Sequence, residues 1–204
     1  AEWFRLNGVK PTNPPSDRSH GIFAAGNGME DYFQQIWKNQ GLLIDGNVLN
    51  YGPVGPDPRI IISGESDILV WDHELDGDGN VIQIHRDKAI GIEMKTCRGY
   101  FAKKMVFGIG NKMYPHGAPK YEHIMQTAMY LMMREKHEKH YGVKMDYYII
   151  FYFAVDTGEY TQFKISLSNG YDGDIIVETM DGKAIEPDIA YQLIAGQTLN
   201  AWEG

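Results

Sequence analysis

Apolar residues that recur at helical spacing predict two long helices. Between residues 24 and 40 the apolar positions follow a spacing near 3.6, and Gly41 supplies a stop. A second helical pattern covers 118–141 and includes a methionine stripe that is expected to face the core. A shorter helix is expected near the end of the chain, over 187–202.

Alternating and continuous apolar runs predict the strands of a sheet. Residues 147–155 are apolar on both faces, which is typical of a buried central strand. The stretch DGDGN at 76–80 predicts a hairpin turn. The other strands are expected within 59–72, as two pieces broken near 64–66, and at 81–85, 88–96 and 160–167.

The remaining segments are predicted to be connections. Residues 1–23 contain prolines and little periodicity, which predicts an extended lead-in, and 50–58 form a loop rich in Gly and Pro. Helix, strands, helix and strands follow one another without a repeat or a linker. This order predicts an α/β protein with a mixed sheet and a single domain over 1–204.

Composition describes a folded, acidic protein and excludes several kinds of site. The chain has 204 residues, is 43% hydrophobic and carries a net charge of −8. Its single cysteine, Cys97, excludes an internal disulfide and a cysteine-built zinc or iron–sulfur site. No apolar run approaches ~20 residues and no signal-peptide pattern is present. We therefore expect no membrane partner and no secretion, with a location in the cytoplasm or nucleoid, or in the host cytoplasm for a viral protein.

One segment departs from the acidic balance. Between Met94 and Tyr121 the chain has six basic residues and no acidic one, which leaves 13 basic and 27 acidic residues elsewhere. Such a bias arises by chance in a solvated loop, or it marks a local binding surface for a polyanion. We predict a basic substrate loop over 97–120.

The strongest chemical signal is an acid and a lysine two residues apart. Glu93 and Lys95 leave the same face of a predicted strand, and Asp67 opens another apolar strand 26 residues earlier. Two carboxylates and a lysine that converge suit a hard divalent cation and a phosphate. An exposed ion pair between Glu93 and Lys95 is the alternative. A second acid-x-Lys triplet, Asp181-Gly182-Lys183, lies in a predicted turn and receives no catalytic role.

Polar residues on the two long predicted helices add to this signal. Glu30 shares a helical stripe with Phe33, so its carboxylate points towards the apolar side, where it needs a partner. His123, Gln126 and Tyr130 form a polar stripe on the second helix. A structural glutamine is the alternative account of that stripe.

Taken in order, four motifs resemble the PD-(D/E)XK nuclease superfamily, and within it the RecB-like branch of phage and CRISPR-associated exonucleases. They are G-x-x-x-E from Gly26 to Glu30, GESD at 64–67, EMK at 93–95, and Q-x-x-x-Y from Gln126 to Tyr130. The resemblance implies a restriction-endonuclease-like core, with a mixed β-sheet flanked by helices on both faces. It also implies metal-dependent hydrolysis of DNA phosphodiesters.

The resemblance further implies a role for each matching residue. Lys95 would be the catalytic lysine, and Gln126 and Tyr130 would orient that lysine, the DNA or the scissile phosphate. One cysteine cannot hold a cluster, so a type without an iron–sulfur cluster is implied. The implied ligands for one or two Mg²⁺ or Mn²⁺ ions are Glu30, Asp67, Glu93 and the Met94 carbonyl.

We therefore expect a metal-dependent DNA exonuclease of recombination, repair or phage DNA processing. Its substrate would be a duplex end or a single strand, and a helicase, a recombinase or a single-strand-binding protein are candidate partners. A structure-specific endonuclease of the same fold and a catalytically silent DNA-binding module are the alternatives. The expected phosphate contacts are Arg98, Lys103, Lys104, Lys112 and Lys120.

Overall fold

The chain folds around one mixed β-sheet, and a computed structural model describes residues 17–53, 61–112, 114–168 and 174–185. The helices in these ranges are α1 (Asp17–Asn39), α2 (Tyr100–Val106), α3 (Tyr121–Met132) and α4 (Glu135–Tyr141). The strands are β1 (Leu43–Pro53), β2 (Ile61–Leu75), β3 (Val81–Cys97), β4 (Tyr147–Ala154), β5 (Tyr160–Leu167) and β6 (Ile175–Thr179). None of the helices in the described ranges is long and apolar enough to cross a membrane.

The six strands lie side by side in chain order, from β1 to β6. Strands β3 and β4 are parallel, and every other neighbouring pair is antiparallel. The parallel pair is joined by a long crossover that contains α2, α3 and α4. This arrangement confirms the predicted α/β class and the predicted mixed sheet.

Helices pack on both faces of the sheet, and β4 shows how the two faces are separated. Ile149 and Phe151 belong to a core that includes Phe33 of α1. Ile150 and Tyr152 alternate with them and belong to a second core, which includes residues of α3. All four of these β4 side chains are buried, which confirms the prediction of a buried central strand.

The helix predictions are right in kind and wrong in extent. Helix α1 begins at Asp17, so the predicted lead-in is wrong for residues 17–23, whereas residues 1–16 and the helix predicted over 187–202 lie outside the described residues. The stop at Gly41 is confirmed by its φ of +73°. The second predicted helix is divided into α3 and α4 at Met133 and Arg134. No Gly or Pro marks this break, which leaves Met133 and His137 both buried.

The strand predictions between 59 and 96 are too short, whereas the strand predicted at 160–167 matches β5. The two pieces expected within 59–72 form the single strand β2, and those expected at 81–85 and 88–96 form β3. Residues 50–53 belong to β1 and are not a loop. Gly64 does not break β2: a Cβ there would lie 3.0 Å from the Tyr130 ring, so glycine marks a close approach. The DGDGN turn is confirmed, with the Asn80 carbonyl accepting from Asp76 N–H.

The basic segment predicted as a loop over 97–120 contains a helix, α2, so the loop prediction is wrong for 100–106. Hydrogen bonds from the backbone also hold residues of this segment that follow α2. Ala118 N–H donates to the Met105 carbonyl, and Lys120 N–H donates to the Tyr152 hydroxyl. Gly117 has a φ of +77°, and a Cβ there would lie 1.9 Å from the Val106 carbonyl oxygen. The described parts of this segment are therefore fixed by α2, by these hydrogen bonds and by the contact of Lys120 with Tyr152 of β4.

Candidate active site

The structure brings Asp67, Glu93 and Lys95 together at the centre of the sheet. Lys95 Nζ lies 2.5 Å from Glu93 Oε1. Asp67 Oδ2 accepts a 2.6 Å hydrogen bond from Met94 N–H, between the two residues of the ion pair. The Glu93 side chain is only 1% exposed, so the alternative of an exposed surface ion pair is wrong for this acid.

The strand register explains why these side chains converge. In the parallel pairing of β3 with β4, Glu93 lies beside Ile150 and Lys95 beside Tyr152. Side chains in register project from the same face, so the acid and the lysine share the face covered by α3. The Met94 side chain projects the other way and packs with Phe33 of α1.

Burial and mutual repulsion raise the pKa of each of the three carboxyls. Burial raises the pKa of Glu93, and Lys95 opposes the rise. Burial and the charge of Glu93 raise the pKa of Asp67 to about 7. Burial and the charge of Asp67 raise the pKa of Glu30, on α1, and Lys95 opposes this as well. Glu30 therefore feels the charges of Asp67 and Lys95, and its role as a metal ligand stays a prediction.

One observation indicates that the carboxylates of Asp67, Glu93 and Glu30 suit a divalent cation. Glu93 Oε2 is buried and has no hydrogen-bond partner within the described ranges, although an unpaired buried carboxylate oxygen is costly. As they stand, no three His, Cys, Asp or Glu side chains of the described residues form a complete metal-binding group. Magnesium, however, needs only one or two carboxylates, since waters and substrate oxygens supply its other ligands.

Gln126 and Tyr130 of α3 hold the strand that carries Asp67. Gln126 Nε2 donates to the Tyr130 hydroxyl at 2.9 Å, and the Tyr130 hydroxyl donates to the Glu65 carbonyl at 2.8 Å. Tyr130 is buried, so this chain of hydrogen bonds fixes the β2 backbone two residues before Asp67. A direct contact of either side chain with DNA stays a prediction.

Gln34 is a supporting residue that the sequence analysis did not identify. Its Nε2 donates to the Asp67 carbonyl at 3.3 Å, from the opposite face to the Tyr130 contact. Gln34 lies four residues after Glu30 and so shares its side of α1. That helical spacing is the signal that could have identified it.

The predicted phosphate-binding residues differ in how far their charges are already engaged. Lys103 Nζ forms ion pairs with Asp156 at 3.2 Å and Glu159 at 3.5 Å, and it donates to Thr157 Oγ1. Its side chain is 13% exposed, so its main contacts are with the β4–β5 turn. In the described part of the chain no ion pair involves the other four, which are Arg98, Lys104, Lys112 and Lys120.

Comparisons with known proteins give little beyond a general likeness. No family model and no curated protein matches the chain. Among solved structures, the crystal structure of SSO0001 is similar, with a TM-score of 0.44 and 15% sequence identity. The match covers 98% of this chain and 66% of that chain, so this chain spans just under two thirds of the other's length.

Proposed function

We propose that the protein is a metal-dependent deoxyribonuclease with a restriction-endonuclease-like core. One observation carries the proposal: the buried Glu93 carboxylate gives one oxygen to Lys95 and leaves the other without a partner, beside Asp67. A structural ion pair needs neither the second carboxylate nor the orphaned oxygen. A cation held by Glu93 and Asp67 would account for both.

Mg²⁺ or Mn²⁺ would be held by Asp67 and Glu93, with Glu30 and the Met94 carbonyl as the other protein ligands. When bound, the cation supplies Lewis-acid stabilisation of the charge that develops on the phosphate. Binding would also relieve the repulsion that raises the pKa of Asp67. The resemblance of the four ordered motifs to PD-(D/E)XK nucleases supports this assignment.

Lys95 would act as a fixed cation beside the scissile phosphate. One of its three N–H donors is held by Glu93, which sets the direction of the ammonium group. The remaining donors would orient the attacking water or bind a phosphate oxygen, and the side chain is 23% exposed, so it can be reached. Because Glu93 already fixes this ammonium, little reorganisation is needed during the reaction.

A nucleic acid is the phosphodiester substrate that the surrounding charge favours. The basic residues Arg98, Lys104, Lys112 and Lys120 follow Lys95 in the chain and are not ion-paired to described residues. They would bind the DNA backbone through its phosphates, without reading its sequence. We propose exonucleolytic action on a duplex end or single strand, which rests on the RecB-like resemblance.

A cleavage assay on three substrates tests the proposal. Linear duplex, linear single strand and covalently closed circles are incubated with Mg²⁺ or Mn²⁺, and with chelator as the control. We expect loss of linear substrates alone. Nicking or opening of the circles would show that the protein is an endonuclease of the same fold and not an exonuclease. DNA binding without cleavage of any substrate would overturn the enzyme and leave a silent binding module.

A further inference from the structure

The regular alternation of side chains along β2 breaks at Asp67. Ser66 Oγ accepts a hydrogen bond from Asn50, which contacts His137 of α4, so Ser66 lies on the face covered by α3 and α4. Ile68, two residues later, packs on the opposite face, in the core that includes residues of α1. Residues two apart share a face in a regular strand, so the backbone is irregular between Ser66 and Ile68.

The facing position on β1 has an unusual backbone as well. The pairing of the two strands keeps one register on both sides of this point, which puts Asn47 opposite Asp67. Asn47 has a φ of +54°, and within the described ranges it is the one residue other than glycine with a positive φ. Left-handed backbone is unfavourable for such a residue and persists only where the surrounding structure holds it. The position of Asp67 therefore depends on the contacts that hold these two strands.

Gln34 of α1 binds the backbone of Asp67 at this irregular position. Gln34 Nε2 donates to the Asp67 carbonyl at 3.3 Å, while the carboxylate of Asp67 accepts from Met94 N–H at 2.6 Å. Gln34 and Glu30 lie one turn apart on α1, so they share a side of the helix. One amide thus joins the helix that carries Glu30 to the strand that carries Asp67.

Gly46 of β1 provides the space that this amide occupies. A Cβ at Gly46 would lie 2.5 Å from Gln34 Oε1 and 2.8 Å from Gln34 Nε2, which is too close for atoms that are not bonded. Gly46 is not one of the described glycines with a positive φ, so its backbone does not require glycine. The close approach of Gln34 is therefore what requires a glycine at this position.

We propose that Gln34 is a positioning residue for the candidate metal site, and that Gly46 is the glycine that lets its amide reach Asp67. The inference rests on the proposed function. Gln34 holds the Asp67 backbone against α1, and so fixes the carboxylates of Asp67 and Glu30 relative to each other before a cation binds. Gln34 and Gly46 both act through Asp67, so their removal weakens the affinity for the cation, as it does for other residues that orient metal ligands.

Three variants test whether the two residues act as one unit. Gln34→Ala removes the amide, and Gly46→Ala displaces it from Asp67, because the new methyl group takes its place. In the double variant the new methyl group meets no amide, so Gly46→Ala should add nothing to the effect of Gln34→Ala. Gln35→Ala is the matched control, since this adjacent and exposed glutamine donates to Asn39 of the same helix.

Tyr141→Phe is a second control, which tests for a general loosening of β1. The Tyr141 hydroxyl donates to Asp45 Oδ2 at 2.5 Å, so this variant loses a contact of β1 one residue from Gly46 and leaves Gln34 in place. We expect its affinity for Mn²⁺ to equal that of the wild type, whatever its free energy of unfolding.

Calorimetric titration with Mn²⁺, without DNA, measures the dissociation constant of the cation for the wild type and these five variants. Asp67→Asn, which should lose the binding, identifies the site. We expect Gln34→Ala, Gly46→Ala and the double variant to raise the dissociation constant by about tenfold, each to a similar extent. Urea unfolding in chelator checks the fold. The cleavage rate at saturating Mn²⁺ should stay within about threefold of the wild type, because the loss is recovered once the site is filled.

Two kinds of result would contradict the positioning role. Wild-type affinity for Mn²⁺ in Gln34→Ala would overturn the inference, and so would an equal loss of affinity in Tyr141→Phe or Gln35→Ala. An equal effect of Gly46→Ala with and without Gln34 would show that Gly46 does not act through Gln34, and would overturn that part of the inference. If Gly46→Ala does not fold, Gln34→Ala and its controls still decide the role of Gln34.

The outcomes also separate this inference from the proposed function. If the wild type binds Mn²⁺ at Asp67 but cleaves no DNA, the nuclease proposal fails, and the dissociation constants for Mn²⁺ still decide the role of Gln34. A wild type that binds no Mn²⁺ at Asp67 overturns both.

Discussion

Lys95 Nζ lies 2.5 Å from Glu93 Oε1, while Oε2 of the same buried carboxylate has no partner among the described residues. The lysine therefore stabilises the carboxylate only in part. Asp67 lies close enough for the charge of Glu93 to raise its pKa to about 7, after the larger effect of burial. Without a cation, this part of the core stores electrostatic repulsion that cation binding would relieve.

The ion pair predicts a coupled effect on stability. Lys95→Met should lower the free energy of unfolding by about 3 kcal/mol, because it leaves a buried carboxylate without its cation. Adding Glu93→Gln to that variant should recover most of the loss, since the charge is then gone too. Urea denaturation in chelator of the wild type, the two single variants Lys95→Met and Glu93→Gln, and the double variant measures the coupling. Strictly additive effects would show that the two side chains do not depend on each other.

The carboxylates predict a metal-dependent rise in thermal stability. Millimolar Mn²⁺ or Mg²⁺ should raise the Tm of the wild type in a saturable way, because the cation binds only the folded site. Asp67→Asn and Glu93→Gln should abolish the rise. Asp181→Asn is the matched control, since Asp181 pairs with Lys183 in the exposed second acid-x-Lys triplet. An equal rise in Tm for the wild type and all three variants would show that the cation binds at a site other than Asp67 and Glu93.

The basic segment predicts different roles for two adjacent lysines. Lys104→Ala should reduce the slope of log affinity for DNA against log salt by about 0.9, as expected for one lost phosphate contact. Lys103→Ala should lower Tm and leave the slope nearly unchanged, because Lys103 is already paired with Asp156 and Glu159. Fluorescence anisotropy between 50 and roughly 200 mM salt makes the comparison. Equal slopes for Lys104→Ala and wild type would remove Lys104 from the contact surface.

Buried His137 predicts a loss of stability in acid. Burial lowers its pKa below 6.5, and its Nε2 lies 3.0 Å from Asn50 Oδ1. The unfolded chain takes up a proton near pH 6.5 that the folded protein takes up only at lower pH. The contribution of His137 is therefore complete above pH 6.5 and decreases as the pH falls below it.

His137→Gln keeps a donor to Asn50 and removes the titration, so its unfolding free energy should fall less between pH 7 and pH 5 than that of the wild type. Asp67 titrates with the opposite sign, since its raised pKa makes the folded protein bind the extra proton. The difference between variant and wild type cancels that effect. His140→Gln is the exposed control, and the prediction fails if His137→Gln follows the wild-type curve.

Periodicity predicted the main helices and the central strand, because both place apolar side chains on faces that the sheet buries. It failed at Gly64 and at Met133. Gly64 looks like a strand break, and only the Tyr130 ring above it explains why a glycine continues the strand. The α3–α4 break has no local signal, and the helix that follows it carries His137, which contacts Asn50, 87 residues away in the chain.

The part of the candidate site whose residues share one strand was predictable from the sequence. The part that several strands and helices assemble was harder to predict. The spacing of Glu93 and Lys95 alone predicts that they share a face. Asp67 required a second motif, and the contact of its carbonyl with Gln34 depends on how α1 packs over the sheet. Lys103 was grouped with the other basic residues because composition cannot show that Asp156 and Glu159, more than 50 residues later, neutralise it.

The most direct test is cleavage of linear DNA in Mg²⁺ by the wild type, Lys95→Ala and Lys183→Ala, with DNA binding measured in parallel. The two lysines both end acid-x-Lys triplets and both pair with the acid, but only Lys95 adjoins a buried carboxylate. We predict that Lys95→Ala lowers the cleavage rate by at least about 10³-fold, equivalent to about 4 kcal/mol, and binds DNA nearly as the wild type does. Lys183→Ala should cleave normally. Undiminished cleavage by Lys95→Ala would contradict the assignment of the site.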